Sequence, residues 1–472
     1  MRTEGHFIGG EWRSGGDQFD VVNPYGGAVI ARCALGTAAD VDDAVAAARN
    51  AMATPLPAHE RAALCERVAA VLRADVEGFA REICAEAGKP IRTARAEAER
   101  AVSTWTFAAV EARSLTGETV PMDASAAGAG KLAFTMTEPR GVVAAVTPFN
   151  FPLNLVAHKL APALAAGCAV VLKPAEKTPL SSVRLIRAML EAGLPAGWVN
   201  LVNGLGEDVV MPLVTHPDVA VVSFTGSTRV GHLIAEKAAG KHVLLELGSN
   251  APLLVEPDAD LDTVVAKVRA TGFTHAGQSC ISVQRLFVQR EVYAELLDRL
   301  VPAVESLVIG DPADEATDVG PMIRPAETER ITAWVAEAES AGAKVLTGGS
   351  ADGDIFAPTV VADVTPEMRL CADEAFAPVV VVIPYGDLDE AIELANRSPF
   401  GLNAAVFTQR IDSALKAARG LKAGAVLVNE SPTYRADQMP YGGVGESGNT
   451  REGPRYAVRE MTQHKLVIVE AP

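Results

Sequence analysis

Residues 38 to about 115 have the hydrophobic spacing of amphipathic helices. Asp40 is a candidate N-cap, and small apolar residues recur after it every three or four positions, as they do on a helix face packed against a core. The first of these residues are Val41, Ala44, Val45 and Ala48. Two further Ala-rich stretches repeat the pattern, so the sequence predicts three helices in this region.

From Gly141 onward, short apolar runs alternate with helical stretches. The runs predict buried strands at 141–148, 169–174, 199–204, 219–224 and 242–246. The stretches between them predict helices at 153–166, 180–192 and 230–239. A second round of the pattern predicts strands near 251–255, 285–288, 379–384 and 425–429. This alternation is typical of parallel sheets covered on both faces, and it predicts an α/β protein with two doubly wound domains.

Two segments do not fit the alternation. Residues 118–137 contain breakers such as Pro121 and Gly130, after which Leu132, Phe134 and Met136 alternate with their neighbours, as in an exposed strand. Residues 465–469 form a lone terminal strand that needs the hairpin near residue 132 or another subunit as its partner. We therefore expect a small β element that supports a homodimer or a homotetramer.

Charge and composition exclude several classes of protein. The 472 residues carry 42 basic and 59 acidic side chains, a formal charge of −17 that repels nucleic acids and anionic membranes. No uncharged stretch reaches the roughly 20 residues of a membrane span, and no leader or anchor motif is visible. We expect a cytoplasmic protein without a nucleic-acid or membrane partner.

Cysteine usage singles out one thiol. The chain has six cysteines, none in a CxxC motif, and no His, Cys and carboxylate set has metal-ligand spacing, so neither a disulfide scaffold nor a metal site is expected. Five of the cysteines lie in helical or strand patterns. Cys280 instead follows a loop in which Gly277 permits a tight turn.

Several loop motifs occur in a fixed order along nearly the whole chain. They are 148–152 (PFNFP), 173–176 (KPAE), 224–227 (FTGS), 246–252 (ELGSNAP), 277–282 (GQSCIS), Glu374 with Phe376 and Pro378, and 440–443 (PYGG). Together they resemble the NAD(P)-dependent aldehyde dehydrogenase superfamily, and most closely its lactaldehyde and non-phosphorylating glyceraldehyde-3-phosphate dehydrogenase-like branch.

The resemblance implies a domain arrangement. Residues 1–117 and 138–247 would form a Rossmann-like NAD-binding domain, and residues 248–440 a catalytic domain. Residues 118–137 and 441–472 would form the oligomerisation element.

The implied chemistry explains why a cysteine is needed. An aldehyde carbon has no leaving group except hydride, so a nucleophile must first make it tetrahedral. A free thiol has a pKa near 8.5 and is only a few per cent thiolate at neutral pH, so the site should lower that pKa or deprotonate the thiol on demand. The resemblance makes Cys280 this nucleophile.

Two further residues complete the predicted catalytic set. Asn150 offers an amide N–H where negative charge develops on the aldehyde oxygen, and the resemblance pairs it with the Cys280 backbone N–H as the oxyanion hole. Glu246 follows an apolar strand, where partial burial should raise its pKa enough for it to accept a proton from water. Members that pass the acyl group to coenzyme A commonly lack this glutamate, so we expect hydrolysis to the free acid.

The cofactor residues follow from the same resemblance. Lys173 and Glu176 would bind the adenosine ribose. A carboxylate at this position favours NAD over NADP but does not exclude NADP. Glu374 and Phe376 would hold the nicotinamide ribose and ring. The remaining expected contacts are Thr147, Pro148, Phe149, Gly206, Phe224, Gly226, Ser227 and Leu247.

Substrate identity is less determined. Arg100 and Arg435 could bind an anionic or hydroxylated tail at a tunnel mouth, because arginine forks onto carboxylate, phosphate or sulfonate groups. They could equally be solvated or structurally paired, as most arginines are.

Two other classes of function stay open on the residues alone. His275 lies five residues before Cys280, so a Cys/His hydrolase without a redox step is a second hypothesis. A noncatalytic protein on a dehydrogenase fold is a third, although Cys280 and Glu246 are both present.

Overall fold

The chain starts with five short strands that the sequence patterns do not reveal. In the computed structural model, which describes residues 1–470, these are β1 (Arg2–Glu4), β2 (His6–Ile8), β3 (Glu11–Arg13), β4 (Gln18–Val22) and β5 (Val29–Ala34). Strands β1, β5 and β4 form a small sheet, whereas β2 and β3 extend a larger one. Strands of three to six residues are too short to show an apolar alternation.

Four helices follow, not the three expected. They are α1 (Ala38–Met52), α2 (Ala58–Ala74), α3 (Val76–Ala87) and α4 (Ile91–Ser114). Asp75 alone separates α2 from α3, which explains why they resemble one helix in the sequence. The N-cap of α1 is Thr37, and Asp40 is the third residue of a reciprocal capping box rather than the cap itself.

A parallel sheet occupies the centre of the first domain. After β6 (Thr119–Val120) and β7 (Lys131–Pro139), its strands are β8 (Val142–Val146), β9 (Val170–Lys173), β10 (Val199–Leu201), β11 (Val219–Thr225) and β12 (His242–Glu246). The helices between them are α5 (Asn154–Ala166), α6 (Leu180–Glu191), α7 (Gly206–Thr215) and α8 (Thr228–Lys237). The strand order is β12-β11-β8-β9-β10-β2-β3, with the N-terminal hairpin as an antiparallel edge. Every residue of α5 is buried.

The second domain repeats the architecture. Its strands are β13 (Pro252–Val255), β14 (Arg285–Gln289), β15 (Lys344–Thr347), β16 (Ala351–Asp352), β17 (Ile355–Phe356), β18 (Thr359–Ala362), β19 (Val379–Tyr385), β20 (Phe400–Gly401), β21 (Asn403–Phe407) and β22 (Ala425–Val428). Its helices are α9 (Leu261–Thr271), α10 (Arg290–Glu305), α11 (Pro325–Ser340), α12 (Arg369–Ala372), α13 (Leu388–Asn396) and α14 (Ile411–Gly420). The main sheet has the order β15-β18-β19-β14-β13-β21-β22, and only β15 is antiparallel to its neighbour. The predicted fold class, two parallel-sheet α/β domains, is confirmed.

The C-terminal segment returns to the first domain before it leaves the body of the protein. It comprises β23 (Val444–Gly445), α15 (Pro454–Glu460) and β24 (Thr462–Glu470). Helix α15 packs on α4 and α5, and its Val458 belongs to the core of the first domain. Strand β24 pairs antiparallel with β7 over its whole length, so the terminal strand joins the hairpin of its own chain.

The range 441–472, which was predicted to belong to the oligomerisation element, has two parts in the structure. Only β24 joins the three-stranded sheet with β7 and β6, while residues 441–461 contact the two large domains. Residues 471 and 472 lie outside the described chain. Within residues 1–470, no helix combines the length and the apolar character of a membrane span.

Candidate active site

Three of the predicted residues converge between the two domains. Asn150 follows β8, Glu246 ends β12, and Cys280 lies in the loop that enters β14. Asn150 and Cys280 line one cavity of about 410 Å³, and the Glu246 carboxylate is close enough for its charge to act on the Cys280 thiol. Residues from both sheets thus meet at one cleft.

An unusual backbone positions the nucleophile loop. Three consecutive residues, His275, Ala276 and Gly277, have left-handed φ angles of 51°, 53° and 65°. A Cβ on Gly277 would lie 2.1 Å from the Ala377 carbonyl oxygen, so only glycine fits there. The Gln278 side chain then locks the turn, because its Nε2 donates to the His275 carbonyl at 3.1 Å and its Oε1 accepts from the Ile323 N–H at 2.9 Å.

Cys280 is half-buried and has a hydrogen-bond partner. Its Sγ lies 2.9 Å from the hydroxyl of Tyr441. Burial raises the pKa of the thiol to about 12, so the resting side chain is protonated at neutral pH. The Cys280 backbone N–H donates to no group of residues 1–470 and is free to bind a developing oxyanion.

Asn150 is fixed by the nucleophile loop itself. Its amide nitrogen donates to the Gln278 carbonyl at 3.0 Å, and the side chain is only 3% exposed. A carbonyl can only accept, so this contact sets the orientation of the amide and uses one of its two N–H groups. The second N–H remains for another acceptor.

A buried ion pair anchors the loop that carries Asn150. The Glu97 carboxylate, paired with Lys89, accepts from the backbone N–H groups of Leu153 and Asn154 at 2.9 and 3.1 Å. The Lys89 ammonium also lies 3.7 Å from the centre of the Phe151 ring. The start of α5 is therefore tied to α4 immediately after Asn150.

Glu246 is buried without a partner. It is 2% exposed, and within residues 1–470 neither carboxylate oxygen accepts a hydrogen bond. Burial, and secondarily the neighbouring Glu452 carboxylate, raises the pKa of Glu246 well above its ordinary value. A carboxyl pKa raised in this way is typical of functional sites.

Glu452 has the opposite electrostatic environment. Burial acts to raise its pKa, but the Lys159 ammonium at 3.2 Å and the Arg435 guanidinium at 2.9 Å lower it to about 2. Glu452 therefore stays ionised beside Glu246 and helps to keep Glu246 protonated.

The same cavity has features that suit a dinucleotide. Ser227 precedes α8 without a side-chain cap, which leaves N–H groups at the helix N-terminus for an anion. Glu374 accepts from the Ser249 N–H at 2.9 Å, and burial raises its pKa to about 7. Phe376 and Phe149 pack edge to face with ring centres 6.0 Å apart.

The other predicted cofactor residues divide into two groups. Those that line the cavity, besides Phe149, Glu374 and Phe376, are Pro148, Gly226, Ser227 and Leu247. Those that lie outside its lining, at or next to the ends of β8, β9 and β11 or at the start of α7, are Thr147, Lys173, Glu176, Gly206 and Phe224. The Lys173 ammonium donates to the Glu176 carboxylate at 3.3 Å. Gly206 lies in open space, since no atom would come within 4 Å of an added Cβ.

Three cavity residues on α11 were not predicted from the sequence. Glu327, Arg330 and Trp334 line the cavity from the second domain. Arg330 bonds Glu327 at 2.8 Å and lies 4.7 Å from the centre of the Trp334 ring. In the sequence these residues belong to an ordinary charged helix, and no motif marks them.

Tyr441 is a further residue that sequence reasoning left without a role. It belongs to the 440–443 motif, but nothing in that motif indicates a contact with Cys280, 161 residues away. Only the folded chain brings the two side chains together.

Both candidate substrate arginines are engaged by carboxylates. Arg435 is 6% exposed, pairs with Glu452 and lies 3.8 Å from the centre of the Tyr441 ring. Arg100 is 30% exposed and donates to Asp437 at 3.0 Å. The Nε atom of each arginine is buried and has no partner within residues 1–470.

His275 does not form a hydrolase dyad. Within the described residues neither of its ring nitrogens has a hydrogen-bond partner, so no third group orients the ring. Burial, assisted by the positive charge of Lys89, lowers the pKa of His275 well below its ordinary value. The contact that Cys280 does make is with Tyr441.

Comparisons with known proteins agree with this geometry. The family model of the aldehyde dehydrogenase family matches residues 12–467. The 3-sulfolactaldehyde dehydrogenase of Priestia aryabhattai is 43% identical over 469 residues, which is 99% of this chain and 98% of that protein.

Solved structures are similar over nearly the whole chain. Aldehyde dehydrogenase 21 of Physcomitrella patens, in complex with the reaction product succinate, has a TM-score of 0.96 and 38% identity, with 100% of this chain and 98% of that chain covered. The glyceraldehyde-3-phosphate dehydrogenase GapN of Methanocaldococcus jannaschii, complexed with NADP, has a TM-score of 0.93 and 38% identity, with 97% and 100% covered.

Gly277→Ala tests whether the left-handed loop positions the thiol. The new Cβ would collide with the Ala377 carbonyl and shift the loop, so we expect aldehyde-dependent NADH formation to fall at least 100-fold, because misplacing a reacting group by about 1 Å costs that much. Gly353→Ala is the control, since Gly353 also has a left-handed φ but has open space around its Cβ. Equal activity of both variants and the unmodified protein would contradict the packing argument.

Proposed function

Since the chain belongs to the aldehyde dehydrogenase family and oxidises an aldehyde to the carboxylic acid with NAD(P), we propose that Cys280, Asn150 and Glu246 perform the chemistry. The observation that carries this proposal is the unpartnered, buried Glu246 carboxylate beside the Cys280 thiol. A structural carboxylate at that depth would be paired.

Cys280 forms the covalent bond to the substrate in this proposal. The thiol loses its proton to water, and the thiolate sulfur adds to the aldehyde carbon, so that the C=O π electrons move to oxygen and give a thiohemiacetal oxyanion. The free N–H of Asn150 and the Cys280 backbone N–H then bind the oxyanion. One such donor contributes about 3 kcal/mol to the transition state.

Glu246 acts after the substrate carbon has been oxidised to the thioester level. A water must then attack the Cys280 thioester, and Glu246 accepts the proton of that water. The raised pKa of Glu246 makes it a stronger base than an ordinary carboxylate, and a base of this kind contributes about 100 to 10,000-fold. The acid leaves, and sulfur regains its electron pair.

The cleft fits a nicotinamide dinucleotide. NAD(P), when bound, supplies the acceptor for the hydride released by the aldehyde carbon. Glu374 and Phe376 would hold the nicotinamide riboside, and the uncapped start of α8 would hold the pyrophosphate. We infer that Glu327 and Arg330 contact the same molecule from the second domain.

Further residues at the edge of the first sheet complete the proposed cofactor site. We assign cofactor contacts there to Thr147, Phe224 and Gly206. Lys173 and Glu176 would hold the adenosine ribose, and the Glu176 carboxylate would repel a 2′-phosphate, so we infer a preference for NAD over NADP.

We propose a substrate with an anionic tail. The Nε groups of Arg100 and Arg435 lack partners within residues 1–470, so the paired carboxylates do not use every donor of either guanidinium, and Arg100 remains 30% exposed. The names of two relatives support this class, because 3-sulfolactaldehyde carries a sulfonate and succinate carries carboxylates.

We also propose that the protein is a homo-oligomer. The sheet of β6, β7 and β24 exposes apolar side chains, and β24 is an edge strand that pairs only with β7 within residues 1–470. The exposed residues are Leu132, Phe134, Met136 and Val469 on one face and Leu466 and Ile468 on the other. A second copy of the chain would cover apolar side chains of this sheet. The cytoplasmic location expected from the sequence stays a prediction.

Glu246→Gln should separate oxidation from hydrolysis. Without the base the Cys280 thioester accumulates, so we expect a burst of one NADH per active site and a steady-state rate at least 100-fold lower. In the unmodified protein the hydrolysis rate should rise with pH as Glu246 loses its proton, because only the ionised carboxylate accepts a proton. The raised pKa places this rise above the usual carboxylate range.

The measurement is rapid-quench kinetics across pH with mass detection of the acyl adduct. Cys280→Ala should give no burst, and the exposed Glu339→Gln should behave like the unmodified protein. Normal turnover by Glu246→Gln would refute the base assignment.

Arg100→Met tests the anionic substrate. A charge-assisted hydrogen bond is worth about 1.5 to 3 kcal/mol, so we expect the KM for a carboxylate- or sulfonate-bearing aldehyde to rise about 10 to 100-fold, and that of propanal to stay within a factor of two. Arg113→Met is the matched control, since Arg113 lies on the same helix and pairs only with the exposed Glu66. An equal change for charged and uncharged aldehydes would sink the assignment.

Phe134→Asp tests association. A charge on the face that carries Leu132, Met136 and Val469 should shift the protein from oligomer to monomer in sedimentation velocity. Ile411→Asp, at an exposed apolar residue on α14, is the control and should leave the oligomer intact. If the unmodified protein sediments as a monomer, the oligomer proposal is wrong.

A further inference from the structure

We propose that Tyr441 is an additional catalytic residue whose phenolic hydroxyl donates a hydrogen bond to Sγ of Cys280 and stabilises the thiolate. This inference rests on the proposed role of Cys280 as the nucleophile. It gives a chemical task to a side chain that touches the reacting sulfur.

The geometry leaves the hydroxyl only one use. The Tyr441 oxygen lies 2.9 Å from Sγ of Cys280 and contacts no other polar group of residues 1–470 within hydrogen-bond distance. Tyr441 is 3% exposed, and its ring packs with Ile281 and Leu402 in a small apolar cluster. A hydroxyl at that depth needs a partner, and the sulfur is the one it has.

The backbone prevents Tyr441 from turning away. Its N–H donates to the Glu452 carbonyl at 3.1 Å, and the Glu452 N–H donates back to the Tyr441 carbonyl at 2.6 Å. This antiparallel bridge fixes the Cα position, and the packed ring fixes the side chain. The hydroxyl is therefore held in place before any substrate arrives.

Arg435 strengthens the hydroxyl as a donor. Its guanidinium carbon lies 3.8 Å from the centre of the Tyr441 ring and is held there by the ion pair with Glu452. A cation on the ring face withdraws electron density from the phenol and makes the O–H more acidic. Burial nonetheless raises the pKa of Tyr441 well above its ordinary value, so the group keeps its proton and acts as a donor at neutral pH.

The other charges around Cys280 show why such a donor matters. Burial raises the pKa of the thiol to about 12, and the carboxylates of Glu374 and Glu246 add to that rise. The Tyr441 hydrogen bond and, more weakly, the Arg435 charge oppose it. Tyr441 is thus the main neutral group that favours the thiolate.

The hydrogen bond acts at both ends of the catalytic cycle. When the thiol ionises, its proton leaves to water while Tyr441 keeps its own, and the thiolate gains a charge-assisted hydrogen bond. When the thioester is hydrolysed, the C–S bond breaks and sulfur takes the electron pair, so the same donor stabilises the leaving thiolate. No additional reactant is required.

Tyr441→Phe isolates the hydroxyl. Phenylalanine keeps the ring, its packing and the contact with Arg435, and removes only the O–H. We measure the rate at which iodoacetamide alkylates Cys280 between pH 6 and pH 10, and locate the adduct by mass spectrometry. Because alkylation requires the thiolate, its rate rises with pH below the thiol pKa.

We expect the alkylation rate of Tyr441→Phe to be about tenfold lower than that of the unmodified protein at every pH. This is the loss expected when one hydrogen bond to a charged group is removed. Hydrolysis of the acyl-enzyme should slow as well, while KM for NAD stays unchanged. Tyr25→Phe is the matched control, because Tyr25 is an exposed tyrosine near the start of the chain. Its alkylation rate should equal that of the unmodified protein.

The outcomes distinguish the proposed role of Tyr441 from the proposed role of Cys280, on which it rests. If the alkylation line of Tyr441→Phe coincides with that of the unmodified protein, the hydroxyl only packs and the inference is wrong, even though Cys280→Ala is inactive. If Cys280→Ala still reduces NAD with an aldehyde, the nucleophile assignment itself fails. Circular dichroism and the oligomeric state of Tyr441→Phe establish that the variant folds.

Discussion

Parallel strand pairing is the constraint on which the site depends. In a parallel sheet every strand ends at the same edge, so the loops that follow β8, β11 and β12 must lie side by side. Asn150 and Gly226 come from these loops and Glu246 from the last position of β12, although the three are up to about a hundred residues apart in sequence. The second sheet supplies the nucleophile loop from its own facing edge. The chemistry is therefore located by topology, and local sequence then selects the side chains.

Asymmetric placement of cations gives two buried glutamates different states. Lys159 and Arg435 both contact Glu452, whereas Glu246 receives no contact from either cation. One carboxylate is held ionised and the other is pushed toward its protonated form. A cation placed between the two carboxylates would lower both pKa values.

The sequence predicted the parts of this site that lie in loops with marked composition. Cys280 and Asn150 follow glycine- or proline-containing turns, Glu246 ends an apolar strand, and the fold class followed from long apolar alternations. The N-terminal strands were missed because they are only a few residues long, and α2 and α3 were merged because one residue divides them.

Contacts formed across long sequence separations could not be predicted. Arg330 belongs to a charged amphipathic helix, and the sequence of its cavity-facing side resembles that of a solvent-exposed side. Tyr441 contacts Cys280 only in the folded chain. The pairing of Arg435 with Glu452 is equally invisible from spacing alone. Long-range packing, rather than local propensity, decides these side chains.

A thiol that rests as S–H is also protected chemically. Oxidation by peroxide to sulfenic acid starts from the thiolate, so burial that raises the pKa of Cys280 slows this damage in the resting protein. The proposed nucleophile is thereby shielded between turnovers from oxidants that would inactivate a permanently ionised cysteine.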